Sequence, residues 1–484
     1  MFWRGVWGYL PANIVQGVVG FLAIVIFTRL LSAEEFGRYA IAFSVFSLVH
    51  VAMFTWMEAA MARFWAVESR DPTATAAMFA SLYRVVFGLS VVFIPVAALA
   101  LWVWPMGALF KAAIAAGLFG VPARCVARLI QERYRAAGEV SKAANLDMSM
   151  TAAGLVLGVA FAFAGAGGAA PLLGLGIAPL LALPFTLRGE LAFARGGRVD
   201  PVRLKTYARY GFPIAASLAL TLVLTSTDRL LLALFLDEAS VGAYHAAYSI
   251  ANRTLDVLFI WLGAAGGPAL VMALEHGGPA RLRDAAREQG ETFMLVGLPA
   301  AVGVALVARP LAEVLIGQDL RVAAAAITPW IAASALMAGL NAYYFGQAFT
   351  LGRRTERLLI AMSIPAVANV MLNLLLIPRL GLQGAAMATA LSYGLGLAAF
   401  ILLGRRVLVL PIPWDALIRC SVGAGIMALV VNRLPPLGGI LELMVDAAVG
   451  GLVFACVAIT LNAAGVRDVA VRLIAHARTR SVPA

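Results

Sequence analysis

The chain has 484 residues, of which 62% are apolar and 13% charged, with a net charge of +12. That composition excludes a soluble globular domain, which carries about a quarter charged residues and has nowhere to bury so many apolar side chains. The positive charge does not indicate nucleic acid, because it is spread over short segments between apolar runs instead of forming a patch.

A bilayer accommodates such a chain. Its hydrocarbon core, about 30 Å thick, is crossed by about 20 apolar helical residues. The runs here have that length and do not alternate, which excludes a β-barrel. The first begins after Arg4, reaches Leu31 without a cleavage site, and reads as a span, not a removed signal peptide. In chain order the expected spans are 8–31, 39–61, 79–104, 108–131, 143–165 and 171–187, then a polar linker at 188–209. A second set follows at 210–236, 242–264, 292–309, 322–349, 357–378, 384–404, 416–434 and 440–464. The expected fold is an all-α polytopic membrane protein with about 14 transmembrane helices, in two pseudo-symmetric six-helix bundles plus two C-terminal helices. The divisions are 1–187, the cytoplasmic linker 188–209, 210–404, and 405–484 with a basic tail. Span 292–309, broken near Arg309-Pro310, is the weakest, and loss of two weak spans would leave twelve.

With the N-terminus in the cytoplasm, Arg and Lys favour the inward side by about three to one, so both termini are expected inside. The inward set includes Arg188, Arg195, Arg198, Arg203, Lys205 and Arg209, then Arg353, Arg354, Arg357, Arg405 and Arg406. In the tail Val469, Leu473 and Ile474 lie among arginines, a pattern for a helix on the inner leaflet or a plain basic tail. Arg281, Arg283, Asp284, Arg287 and Glu288 suggest a short surface helix within 275–291.

The chain repeats itself. Residues Phe36-Gly37-Arg38-Tyr39-Ala40-Ile41-Ala42-Phe43-Ser44-Val45 align with Val241-Gly242-Ala243-Tyr244-His245-Ala246-Ala247-Tyr248-Ser249-Ile250 at an offset of 205. Gly168-Ala169-Ala170 and Gly384-Ala385-Ala386 pair at 216. Copies separated by six spans share one orientation, which makes this a parallel repeat.

No nucleotide-binding loop, nucleophile elbow, zinc motif or CxxC pair occurs, and no expected loop is long enough to hold a transferase site. Cys125, Cys420 and Cys456 read as small apolar residues, and the four His form no ligand cluster. No cofactor or metal is expected.

Ionisable residues inside spans carry the functional signal, since each costs about 2.5–3.5 kcal/mol at a helix centre. Arg253 lies mid-span between Asn252 and Asp256. It reads either as a local pair with Asp256 or as a cation facing a water-filled cavity, where its fork suits phosphate. Asp228-Arg229 reads as an interfacial pair reaching outward or as a carboxylate for a proton or Na+. Arg29 reads as an interface anchor or substrate contact, and Glu58 as a partner of Arg63 or an ion-coupling acid. Arg84, Arg124, Arg128 and Asp147, toward inner helix ends, read as structural. Asn341, Tyr343, Tyr344 and Gln347 form a polar stripe suited to interhelical hydrogen bonds or to sugar hydroxyls. Gly263-Ala264-Ala265-Gly266-Gly267-Pro268 reads as the strongest helix break.

Thr28-Arg29-Leu30-Leu31-Ser32-Ala33-Glu34-Glu35-Phe36-Gly37-Arg38-Tyr39 resembles the end of the first span in bacterial oligosaccharide flippases of the Wzx type. Asp228-Arg229-Leu230 through Tyr244 is similar to their seventh-span signature, and Ile377-Pro378-Arg379-Leu380-Gly381-Leu382-Gln383-Gly384-Ala385-Ala386 to a late turn. The wider superfamily includes lipid II flippases and multidrug exporters. The resemblance implies two six-helix bundles around a central cavity, alternating access, and a lipid-pyrophosphate-linked oligosaccharide as substrate. It implies a bacterial inner membrane location and cell-surface polysaccharide biosynthesis, lipopolysaccharide or exopolysaccharide. Arg253 matches a cavity arginine of the lipid II flippases and Glu58 a second-span acid, while the first-span Arg-Asp pair of that branch is absent. The expected substrate contacts are Arg253, Asn252, Arg29, Asn341, Tyr344 and Gln347, and the expected ion-coupling or paired charges are Asp256, Asp228, Arg229 and Glu58. The expected partners are the lipid-linked oligosaccharide, membrane lipids, and a polysaccharide polymerase with export proteins; no nucleic acid is expected, and the chain is expected to be a monomer. A cation-coupled multidrug exporter is the alternative, and a membrane glycosyltransferase or polymerase a more distant one.

Overall fold

The computed structural model describes residues 2–468, without the side chains of 2–10, 13, 265 and 355. The tail segment with Val469, Leu473 and Ile474 lies outside the described residues. The chain divides into two compact units, Met1–His245 and Ala246–Ala484.

The first unit contains α1 (Phe2–Leu30), α2 (Ala33–Glu68), α3 (Pro72–Val103), α4 (Ala108–Ala136), α5 (Val140–Phe163), α6 (Ala170–Phe193) and α7 (Pro201–Phe235). Local chemistry sets the helix starts. Ser32 caps α2 in a reciprocal box: its hydroxyl accepts from the Glu35 amide at 3.2 Å, and Glu35 Oε2 accepts from the Ser32 amide at 3.0 Å. Asp71 and Asp200 cap α3 and α7, each ahead of a proline at the first helical position. The amides of Arg203 and Val202 hold the Asp200 carboxyl below its ordinary range.

Helix α2 packs on both α4 and α7, and its Phe54, Met57 and Met61 are fully buried with Met78, Phe79 and Cys125. Small residues let the helices of this unit approach closely. A Cβ on Gly174 of α6 would lie 2.2 Å from the Gly154 carbonyl oxygen of α5, and one on Gly120 of α4 would lie 2.7 Å from Gly176 Cα of α6. The amino-terminal turns of the two repeated segments also touch within this unit: Gly37 packs on the backbone of Glu238, and Arg38 Nε lies 2.6 Å from Glu238 Oε2.

Charged groups brace one end of the unit. Arg133 is buried with Glu190, 2.5 Å away, and lies over the rings of Trp65, Tyr134 and Phe193. Arg203 pairs with Glu68, which also accepts from the Tyr207 hydroxyl at 2.9 Å. Segment 188–209 is mostly helix, because α6 runs to Phe193 and α7 starts at Pro201.

The second unit holds most of α8 (238–277), then α9 (279–306), α10 (Arg321–Leu340), α11 (355–380), α12 (382–404), α13 (Trp414–Val431) and α14 (Gly439–Thr460). Gly278 (φ 65°) separates α8 from α9 and Gly381 (φ 57°) separates α11 from α12, at backbone angles that favour glycine. Eleven helices are long and apolar enough to cross a membrane; two of them contain these breaks, and α1 adds one more, so fourteen helices result among the described residues. The protein is an all-helical, multi-pass membrane protein.

Three local expectations are corrected. No separate surface helix forms at 275–291, because α8 and α9 extend beyond their apolar parts and meet at Gly278. Helix α8 continues through Gly263–Pro268, as membrane helices can when neighbours satisfy the freed carbonyl. The late break falls at Val307, and Pro310 sits in the first turn of a short helix, Ala308–Leu315, where no amide is missed.

Candidate functional site

Each unit contains polar groups within its helices. In the first, Glu58 of α2 does not pair with Arg63, whose guanidinium lies over the Phe64 ring. Instead His50 Nε2 lies 2.9 Å from Glu58 Oε1. Eight residues span about 12 Å of helix, so both side chains run along the axis to meet. The contact is close but poorly aligned, and Oε1 is buried without a hydrogen-bonded donor.

Helix α4 packs beside them with Arg124 and Arg128 one turn apart. The Arg124 guanidinium lies 5.3 Å from the centre of the Phe46 ring. Arg128 donates to Gln131 Oε1 at 2.8 Å and lies 3.7 Å from Asp147 of α5. Asp147 also accepts from Gln16 of α1. Four helices thus converge on one polar cluster. Arg124, Arg128 and Asp147, expected to be structural, belong to it, and His50 was overlooked.

Near the end of α7, Asp228 and Arg229 are both buried, which an outward-reaching interfacial pair would not be. The Tyr244 hydroxyl donates to Asp228 Oδ2 at 2.5 Å. Arg29 is exposed at the end of α1 and donates to the Val25 carbonyl at 2.9 Å.

In the second unit, Arg253 is exposed on α8. The local pair with Asp256 does not form: Asp256 accepts from Asn252 Nδ2 at 2.6 Å, and no carboxylate lies within 4 Å of Arg253 among the described residues. Helix α10 ends in a π-turn, Asn341–Phe345, before continuing as Gln347–Leu351. Such turns are frequent at functional sites, and this one holds most of the polar stripe. Asn341 is buried, with Nδ2 3.4 Å from the Tyr393 carbonyl. Gln347 is half-buried and accepts from the Thr350 hydroxyl. Tyr343 stacks on Phe259 and fills the space above Gly263.

Tyr344 departs from the expected substrate contact. It is 1% exposed, and its hydroxyl lies 2.9 Å from the Ala286 carbonyl and 2.6 Å from that of Pro411. One proton serves two acceptors, and the residue is committed to packing. Gln289 was not foreseen. Its amide is buried without a hydrogen-bond partner and presses on Gly266; only the glycines of α8 hinted at so close a neighbour. Outside the spans, Glu313 is held below its ordinary range by the Gly439 amide, tying the short helix to the start of α14.

The profile of a family described as "Polysaccharide biosynthesis protein" matches residues 26–325. This chain belongs to that family. No curated protein sequence matches it significantly. Its fold is similar to that of the lipid II flippase MurJ in an inward closed conformation, at a TM-score of 0.76 and 13% identity, covering 95% of this chain and 99% of that one. An inward-facing multidrug resistance MATE family transporter of the MOP superfamily aligns at a TM-score of 0.68 and 15% identity, over 81% of this chain and 94% of the other. A MOP superfamily transporter from Pyrococcus furiosus aligns at 0.53 and 14% identity, over 83% of this chain and 92% of the other. The family is one of polysaccharide biosynthesis, and the fold is the one these solved transporters share.

Proposed function

We propose that the chain is a flippase, moving a lipid-pyrophosphate-linked oligosaccharide from the inner to the outer leaflet of the bacterial inner membrane by alternating access. The observation that carries this reading is Arg253: an exposed guanidinium within α8, with no carboxylate beside it, in a polysaccharide biosynthesis protein. A pyrophosphate cannot cross about 30 Å of hydrocarbon unaided, so it needs a cation in an aqueous path. Guanidinium supplies two parallel hydrogen bonds to such a group. The likeness to the fold of a lipid II flippase supports a lipid as the moving part.

In this reading Arg253 and Asn252 meet the pyrophosphate, with Arg29 at the end of α1. Asn341 and Gln347 offer amide groups to sugar hydroxyls. Asp256, Asp228, Arg229 and Glu58 set the local charge. Bundles 1–187 and 210–404 alternate around linker 188–209, with both termini in the cytoplasm. The protein works as a monomer beside a polysaccharide polymerase and export proteins, supplying lipopolysaccharide or exopolysaccharide.

The test is a deletion strain. We expect lipid-linked glycan to accumulate in the inner leaflet and surface glycan to fall, with both reversed by the wild-type gene. Arg253→Ala should fail to restore export at a normal membrane level. Full export by that variant would remove Arg253 from the mechanism. Drug sensitivity with normal surface glycan would favour the multidrug exporter.

A further inference from the structure

The polar cluster of α1, α2, α4 and α5 is not paired as its charges would permit. Asp147 is taken by Arg128 and Gln16. Glu58 reaches back to His50, although Arg124 lies within its electrostatic reach. Arg124 is left half-buried over Phe46, with no carboxylate oxygen within 4 Å among the described residues. A ring face returns about 0.5–2 kcal/mol to a cation, less than the cost of about 2.5–3.5 kcal/mol that a charge carries near the centre of a spanning helix, where Arg124 stands in α4. An anion or an aqueous path has to supply the rest.

The His50–Glu58 contact has the geometry to share a proton, with Nε2 and Oε1 2.9 Å apart. His50 Nδ1 is buried without a hydrogen-bond partner, which leaves Glu58 as the polar contact of the ring among the described residues. With His50 neutral and both carboxylates ionised, Arg124 and Arg128 cancel Glu58 and Asp147. One added proton makes the cluster cationic by one unit. The other titratable groups facing Glu58 are Cys125 and Glu132 of α4.

We propose that Glu58, His50 and Arg124 form a linked site that takes up one proton and one phosphate-bearing anion together. This rests on the flippase reading and adds its coupling ion. The proton settles on the Glu58–His50 pair, on either partner, and offsets the negative charge competing for Arg124, whose guanidinium then binds the anion. The anion in turn makes protonation easier, because the linkage is reciprocal. No covalent bond changes; the proton leaves when the anion does.

The experiment titrates the purified full-length protein calorimetrically with diphenyl pyrophosphate, a soluble diester whose charge is fixed across the range used. Comparing about pH 6 with about pH 8, we expect binding about ten-fold tighter at the lower pH. Heats should depend on the buffer, reporting uptake of one proton. Glu58→Gln, neutral throughout, should bind equally at both pH values, as should His50→Gln if the first variant folds poorly. Arg124→Gln should lose binding at both with an unchanged melting temperature. Repeating the titration in phosphatidylglycerol and in phosphatidylcholine nanodiscs separates the sources: competition in the first only identifies a lipid headgroup, and equal binding in both a pyrophosphate. Wild-type binding without pH dependence, or full binding by Arg124→Gln, overturns the proposal. Glycan accumulation in the deletion strain tests the flippase reading separately, so a chain that flips glycan yet binds without proton uptake refutes only this linkage.

Discussion

Helices α2 and α8 begin with related sequences yet treat charge in opposite ways. At the offset of 205 residues, Arg253 corresponds to Leu48, while His50 and Glu58 correspond to Leu255 and Gly263. Helix α2 carries an acid against a histidine, next to a helix with two arginines. Helix α8 carries a base with no acid against it, its own Asp256 being held by Asn252. The shared sequence is confined to the helix starts, and each helix interior carries its own ionisable groups. In the first unit charge is gathered and nearly neutralised; on α8 a cation is left open.

That contrast can be broken at several points. The largest effect should come from closing the open cation. Val257→Glu places a carboxylate one turn from Arg253 on the exposed side of α8, and we expect surface glycan export to fall at least as far as in Arg253→Ala; immunoblots should show normal membrane levels. In the first unit the largest effect is on stability. Arg133→Ala leaves Glu190 buried without its cation, a change that costs about 3–5 kcal/mol. Thermal melting of the purified protein in detergent should drop sharply, whereas Arg253→Ala, at an exposed site, should leave it unchanged.

Smaller effects sharpen the assignment of packing against transport. Tyr344→Phe removes one hydroxyl from two buried carbonyls and should cost about 1–3 kcal/mol. Export per folded molecule should stay at the wild-type level, because the side chain is buried at 1% exposure. Asp200→Ala removes the cap of α7 and should cost about 1 kcal/mol. The Asp200 carboxyl is held low in the folded state, so its stabilisation is present above the ordinary carboxylate range and is lost as pH falls through the folded value. The gap in melting temperature between wild type and Asp200→Ala should therefore close on acidification.

The spans were legible because they are written in composition: about 20 apolar residues define a crossing. The polar cluster was not. Whether Arg124 meets a carboxylate depends on residues of α2 and α5 that are distant in sequence, and His50 and Glu58 are separated by two turns, beyond the usual i to i+4 reading. The glycines before Pro268 suggested a break, while the true break fell at Gly278, ten residues on. A glycine in a membrane helix marks either a bend or a close neighbour, and the linear pattern does not distinguish them. Here Gly263 and Gly266 make room for Tyr343 and Gln289.

The π-turn at Asn341–Phe345 holds one residue more than regular helical winding would use. Each residue of an α-helix turns the chain by about 100°, so that surplus decides the direction in which everything after it points. Excising Ala342 would give a smoother helix and a worse protein: Gln347 and Phe349 would swing to another side, and the buried seat of Phe349 would receive a different side chain. The bulge acts as a fixed offset in the winding of α10, and a shorter chain could not reproduce it by changing side chains alone.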